Sequence, residues 1–442
     1  VVAFISAFII PMVLQVDDYG KFKLYTFYAS YIGVTHLGYC DGIYLKYGGY
    51  SETQIDSKNI RREWSTLLIY ESFLAVAILI YGIYAQDLII ICLALTVVPN
   101  VVFTFYTQIF QATGDFSKYT RMMNLSTLFN LLLNLLLVII GIDSYEIYML
   151  GSVTIQIFSF LIGTVYFSRE GWIGCTGFSA SLLWNYIKMG FLLMVGNFAY
   201  MLFIGIDKWF IQFTMTISDF SMYSFASQLM TVVNMFVTPV SMTLYSNMSR
   251  RKDRKFEVKV KKLLLVFLML FPMAVYAISF VIQHYMQQYI SSIGIVSVLL
   301  ITQIFLLLNL AVFVNIYKTY KKQKDYFVRL AIALIVACFM DFCVYLNGAS
   351  TLGYAIATLI SCLLWLGLNI VYFSYMKPNK HEVWYCVAVL GVYVLLNCIP
   401  NYLIRISIYF PVYLVVTRLM MREEWKYAVN QITALASKFK GA

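Results

Sequence analysis

Residues 88–142 read LIIICLALTVVPNVVFTFYTQIFQATGDFSKYTRMMNLSTLFNLLLNLLLVIIGI. Two apolar runs, 88–109 and 122–142, each approach the ~20 residues that an α-helix needs to cross a bilayer. Only a short polar stretch, QATGDFSKYTR, separates them. Hydrocarbon offers no water to backbone N–H and C=O groups, so runs of this length are membrane helices.

The same alternation of apolar run and short polar loop continues along the chain. The predicted spans are 1–14, 24–45, 65–86, 88–109, 122–142, 147–167, 186–206, 222–246, 263–282, 292–317, 327–346, 351–375, 383–399 and 402–420. The fold class is therefore all-α integral membrane, with about fourteen transmembrane helices. Composition agrees: of 442 residues, 61% are hydrophobic and only 12% charged, about half the charge of a soluble domain. The first run, Val1 to Leu14, is too short to span. We therefore expect a truncated first helix with residues missing before Val1, and not a signal peptide, since no basic n-region or cleavage site is present. Residues 421–442 read as an amphipathic cytoplasmic tail.

The net charge of +11 is distributed as a membrane protein distributes it. With a cytoplasmic N-terminus, 28 of the 32 Lys and Arg fall on the cytoplasmic side, leaving Lys21, Lys23, Lys208 and Arg405 outside. That bias sets the orientation, with both termini cytoplasmic. Arg250 to Lys262 holds eight basic residues. It reads as a loop that sets topology and attracts anionic membrane lipids, at ~1 kcal/mol per residue; no nucleic-acid partner is expected. Eight scattered cysteines without C-x-x-C and three separated histidines imply neither a disulfide framework nor a metal site. No G-x-x-x-x-G-K-[ST] string is present, which argues against ATP hydrolysis. The short outer loops argue against an enzyme such as a membrane-embedded glycan polymerase.

A weak internal repeat runs through the chain. VDDYGKFKLYTF resembles ISDFSMYSFASQ, aligning Asp18-Tyr19 with Asp219-Phe220 at an offset of 201. QATGDFSKYTR resembles TYKKQKDYFVR, aligning Tyr119 with Tyr326 at an offset of 207. Two matches at nearly one offset predict two six-helix halves in parallel order, a common transporter design. The expected organisation is 1–167 and 168–375 as the two bundles, 376–420 as helices 13 and 14, and 421–442 as the tail.

Residues 8–49, FIIPMVLQVDDYGKFKLYTFYASYIGVTHLGYCDGIYLKYGG, carry an acidic turn before Tyr-Gly (Asp17, Asp18, Tyr19, Gly20), then Leu37, Gly38, Gly42 and Lys46. This resembles the N-terminal signature of Wzx-type polysaccharide flippases, members of the multidrug/oligosaccharidyl-lipid/polysaccharide (MOP) exporter superfamily. IFQATGDFSKYT and GASTLGYAIATLIS resemble that family's helix 4–5 loop and the start of its helix 12. The resemblance implies two six-helix bundles around a central cavity that opens alternately to each side. It implies a substrate of undecaprenyl-pyrophosphate-linked oligosaccharide, moved from the cytoplasmic to the outer leaflet of the bacterial inner membrane for O-antigen or capsule export. Polysaccharide polymerase machinery is the implied partner, and H+ or Na+ the implied coupling ion; no other cofactor is expected. A cation-coupled multidrug exporter of the same superfamily is the alternative.

Such a transporter needs a cationic path for a pyrophosphate and a device that biases its two states. A charge at a helix centre costs at least ~2.5 kcal/mol, so each one within a span calls for an explanation. The coupling-ion candidates are Asp41, Glu71 and Asp341. Bland readings exist for the first two: Asp41 pairing with Lys46, and Glu71 with Arg61 or Arg62. The substrate or cavity candidates are Lys188, Asp41, Lys46, Asn197, Asp207, Lys208 and Asn234. Lys188 is the expected pyrophosphate contact on loading, with a plain positive-inside anchor as its bland reading. The orientation is checked by reporter fusions: alkaline phosphatase joined after Asp143 is expected to be active, and after Lys252 inactive.

Overall fold

The computed structural model describes residues 7–427, 429 and 430, without the side chains of 233, 235–239 and 246. The start of the first predicted span and most of the predicted tail lie outside the described residues. Among the described residues there are seventeen α-helices and no strand. The chain divides into two compact units, Val1–Leu202 and Phe203–Ala442.

The first unit holds α1 (Ile10–Val13), α2 (Val16–Ser30), α3 (Tyr39–Tyr47), α4 (Ser57–Ala85), α5 (Leu88–Ala112), α6 (Phe116–Ile140), α7 (Tyr145–Arg169) and the larger part of α8 (Ala180–Thr214). The second holds the rest of α8, then α9 (Ile217–Arg251), α10 (Arg254–Leu268), α11 (Phe271–Tyr285), α12 (Ile293–Leu308), α13 (Val314–Thr319), α14 (Gln323–Leu346), α15 (Thr351–Tyr372), α16 (Lys380–Leu396) and α17 (Tyr402–Met420). Among the described residues, ten helical segments are long and apolar enough to cross a membrane by length and composition alone. The remaining predicted spans correspond to the α1 region, to α2 with α3, to α9 and to α16, which are shorter, interrupted or more polar.

Asp and Thr side chains start many of these helices. Asp87 accepts from the backbone N–H of Ile89 at 2.8 Å, Asp115 from Lys118 at 3.0 Å, and Asp253 from Lys255 at 2.9 Å. Thr216 and Asp219 form a capping box at the start of α9. Each supplies an acceptor to N–H groups that have no partner inside the helix. Gln86, Gly141 and Lys252 close helices in the left-handed conformation.

The two units repeat one packing scheme. In the first, α5 packs against α4, α6, α7 and α2, and α6 against α7. In the second, α12 packs against α11, α15 and α9, α13 against α14, and α14 against α15. α2 begins at residue 16 and α9 at residue 217, the offset of 201 at which the sequence aligned their first turns. α16 and α17 fall outside the scheme and pack on each other, α17 also against α11.

Three sequence expectations are corrected. The span 24–45 is not one helix: it starts earlier, at Val16, and breaks between Ser30 and Tyr39, where Leu37 and Gly38 take positive φ. The stretch Arg250 to Lys262 is not a loop, because α9 runs to Arg251 and α10 starts at Arg254. Its Lys261 is buried against Glu382 at 2.7 Å rather than facing lipid headgroups.

The break after α2 lets α3 approach α8 backbone to backbone. A Cβ on Gly42 would run into the Tyr186 carbonyl oxygen, and one on Gly190 into the backbone of Gly38 and Gly42. Only glycine permits such a crossing, the reason small residues at four-residue spacing recur where membrane helices meet. Gly42→Ala and Gly190→Ala are each expected to cost about 1–3 kcal/mol through overpacking, read as a lower thermal midpoint of the purified protein. Gly196→Ala, on α8 with nothing within 4 Å, is expected to leave the midpoint unchanged.

Candidate functional site

Besides the Lys261–Glu382 pair, buried charges gather at one place in each unit. In the first unit α4 carries Glu63, which is fully buried. Its Oε1 receives Lys46 Nζ at 2.5 Å and the Tyr186 hydroxyl at 2.5 Å; its Oε2 receives the Tyr47 hydroxyl at 2.8 Å. Lys46 also donates to the Tyr186 hydroxyl at 2.6 Å, and Tyr39 donates to the Glu63 carbonyl at 3.0 Å. The acidic partner of Lys46 is thus Glu63 and not Asp41.

Asp41 is buried on the same short helix as Lys46. Glu71 is fully buried further along α4, and its Oε2 accepts from Thr35 at 3.0 Å. Among the described residues no hydrogen bond reaches its Oε1. Glu71 pairs with neither Arg61 nor Arg62. Nine to ten residues of helix separate them, roughly 14–15 Å of rise. Arg61 instead donates to the Gly171 carbonyl at 2.7 Å and Arg62 to the Ser179 hydroxyl at 3.2 Å.

Lys188 is exposed on α8, with its ammonium 5.3 Å from the centre of the Trp184 ring. It lies two residues from Tyr186, so it points away from the Lys46 cluster. Asn197 is exposed on the same helix. Nearby in the first unit, Lys118 joins three chain segments by reaching Glu52 at 2.7 Å, Asp115 at 3.5 Å and Glu170 at 2.8 Å. Burial pushes the Glu52 carboxyl up, against the opposing pull of Lys118.

In the second unit Asp207, buried on α8, receives the Tyr223 hydroxyl, the Thr358 hydroxyl at 3.0 Å and the Lys208 backbone N–H at 2.7 Å. These donors come from α8, α9 and α15. Asp341 is buried on α14 within electrostatic reach of Asp207. Among the described residues no hydrogen bond reaches its Oδ1. A cavity of ≈150 Å³ opens beside Asp207 and Lys208, with Asn234, Gln303 and Thr302 also on its wall. It is polar on one side and large enough for several waters. A second cavity of ≈210 Å³ is almost wholly apolar apart from the Lys261–Glu382 pair at its edge.

The structure therefore brings Asp207, Lys208 and Asn234 to one cavity, with Asp341 in electrostatic reach of its Asp207. It places Asp41, Lys46 and Glu71 in the first unit, and leaves Lys188 and Asn197 exposed. Glu63, Tyr186, Tyr223 and Thr358 were not singled out from the sequence. Glu63 lies just before the predicted start of its span and reads there as a loop residue. Nothing local in the sequence marks the tyrosines and the threonine.

Together these observations define a multi-pass helical membrane protein built in two units that repeat one packing scheme. No protein-family model matches the chain, and no curated protein matches it in sequence. Among solved structures, the lipid II flippase MurJ in an inward closed conformation matches with a TM-score of 0.73 and 16% identity, over 96% of this chain and 97% of that one. A multidrug resistance MATE family transporter of the MOP superfamily, inward-facing, matches with a TM-score of 0.54 and 14% identity, over 86% of this chain and 96% of that one. At these identities the likeness is one of fold: the chain has the fold of MOP-superfamily transporters.

Tyr223→Phe removes a hydrogen bond to a buried carboxylate, worth about 1.5–3 kcal/mol. The expected outcome is a lower midpoint in detergent unfolding, with Thr358→Val having a smaller effect in the same direction.

Proposed function

We propose that this chain is a flippase for undecaprenyl-pyrophosphate-linked oligosaccharide. It would carry the repeat unit from the cytoplasmic to the outer leaflet of a bacterial cytoplasmic membrane by alternating access, supplying surface polysaccharide synthesis. The observation that carries this reading is the match over nearly the whole chain to a flippase of a lipid-linked substrate. The buried charges support it. A flippase makes and breaks no bonds, so it needs charged groups inside the protein and no catalytic constellation. On this reading Lys46 meets the pyrophosphate, because a cation is the group that offsets its charge.

Asp341 and Asp207, with Thr358 and the adjoining cavity, would hold the coupling H+ or Na+. Asp341 has an oxygen to spare for a cation, and two neighbouring carboxylates repel one another unless a proton or metal ion sits between them. Asp41 and Glu71 would serve the same end in the first unit. Substrate lipid, membrane lipids and a downstream polymerase are the proposed partners. A cation-coupled multidrug exporter is the second reading, favoured by the match to the MATE transporter.

The test is translocation of a fluorescent undecaprenyl-pyrophosphate oligosaccharide in proteoliposomes. The expected outcome is protein-dependent flipping that falls about tenfold in Lys46→Ala, the scale of one charged hydrogen bond, and that loses its dependence on the ion gradient in Asp341→Asn. Efflux of a cationic dye with no lipid flipping would transfer the chain to the exporter reading.

A further inference from the structure

The Lys46 cluster holds more than an ion pair. Three donors (an ammonium and two phenols) converge on one buried carboxylate. The exposures are unequal: the Glu63 side chain is 1% exposed and that of Lys46 is 30% exposed. The carboxylate is sealed inside while the cation that neutralises it can be reached from outside. An ammonium is also a donor that suits a phosphoryl oxygen.

The setting is rigid. Tyr186 is held where Gly42 meets its own carbonyl, and Tyr39 fixes the backbone of Glu63. Removing a lysine from a buried carboxylate normally leaves an uncompensated charge, at a cost of about 3–5 kcal/mol. Here Tyr47 and Tyr186 would still donate to Glu63 if Lys46 turned away. The carboxylate has a fallback, and the lysine can change partners.

We propose that Glu63 is an internal stand-in for a phosphate, and that it sets the affinity of the headgroup site. Without ligand it holds Lys46. A phosphate or diphosphate oxygen arriving at the exposed side takes Lys46 from it, while Tyr47 and Tyr186 keep Glu63 satisfied. Glu63 is a positioning residue that does not touch the ligand. The inference rests on the reading that Lys46 meets the substrate's phosphate.

This arrangement has a signature that a purely structural ion pair lacks. Glu63→Gln keeps the shape and removes the competing charge, so it should tighten anion binding. Tyr47→Phe removes part of the fallback, so Lys46 is harder to take and binding should weaken. Two substitutions that avoid the ligand should move its affinity in opposite directions.

The test is titration of the full-length chain, purified in detergent, with inorganic pyrophosphate. It is repeated with nanodiscs carrying undecaprenyl pyrophosphate or phosphatidylglycerol, to separate a free anion, a lipid diphosphate and anionic lipid in general. Glu63→Gln is expected to tighten pyrophosphate binding roughly tenfold, the scale of one charged hydrogen bond. Tyr47→Phe is expected to weaken it several-fold, and Lys46→Gln to abolish it. If Lys46→Gln abolishes binding but Glu63→Gln and Tyr47→Phe leave it unchanged, the stand-in role is wrong and the headgroup site survives. If neither pyrophosphate nor the lipid diphosphate binds the unaltered chain, the flippase reading fails and takes this inference with it. Equal tightening for phosphatidylglycerol would also overturn it, because the site would then answer to any anionic lipid. Should Glu63→Gln not fold, Tyr47→Phe alone decides, and unchanged affinity there sinks the proposal.

Discussion

A chain in hydrocarbon cannot hand its polar groups to water. Most of the buried charges described here therefore meet a partner inside the protein, and that requirement organises both units. Glu63 meets an ammonium and two phenols. Asp207 meets a phenol, a threonine and a backbone N–H. Lys261 meets Glu382 and the Met376 carbonyl. Tyrosine recurs as the donor because it spends one hydroxyl on the charge and buries a large ring against the helices around it. Amides play the same part for neutral groups. Asn369 donates to Asn309 at 2.8 Å and accepts from Tyr317 at 2.9 Å, alongside the one turn of π-helix at Asn309–Phe313.

The two units share a packing scheme but not its chemistry. Near the start of α4 a carboxylate, Glu63, is caged by tyrosines and neutralised by a lysine. Near the start of α10 Glu257, fully buried, receives the hydroxyls of Tyr320 and Tyr375. One turn further on, Lys261 rather than an acid is the buried ion. Both units thus cage a buried carboxylate with tyrosines near the start of a helix, and they differ in the cation: Lys46 pairs with Glu63 itself, whereas Lys261 pairs with Glu382.

The spans were legible because hydrophobic run length is a local property. The expected runs from residue 65 onward fall on helical segments. The repeat was legible too, since the first turns of α2 and α9 kept their acid-aromatic step. The break between α2 and α3 was not. Thr35, Leu37 and Gly38 sit in a stretch apolar enough to read as a continuous helix, and only the close approach of α8 explains why the chain bends there. The burial of Lys261 was hidden for a related reason. A lysine in a run of eight basic residues looks solvated until a glutamate 121 residues later arrives beside it.

By itself the sequence determined that the chain is a multi-pass helical membrane protein, and roughly where along it the apolar helices lie. Those properties depend on the water-to-lipid transfer of consecutive residues, which is a sum over neighbours in the chain. The tertiary structure alone decided which polar groups meet. Lys46 and Tyr186 are 140 residues apart, and Asp207 and Thr358 are 151 apart. No local pattern encodes such pairs, because the helices that carry them are brought together by packing, and a membrane helix reads the same from every side until its neighbours are in place.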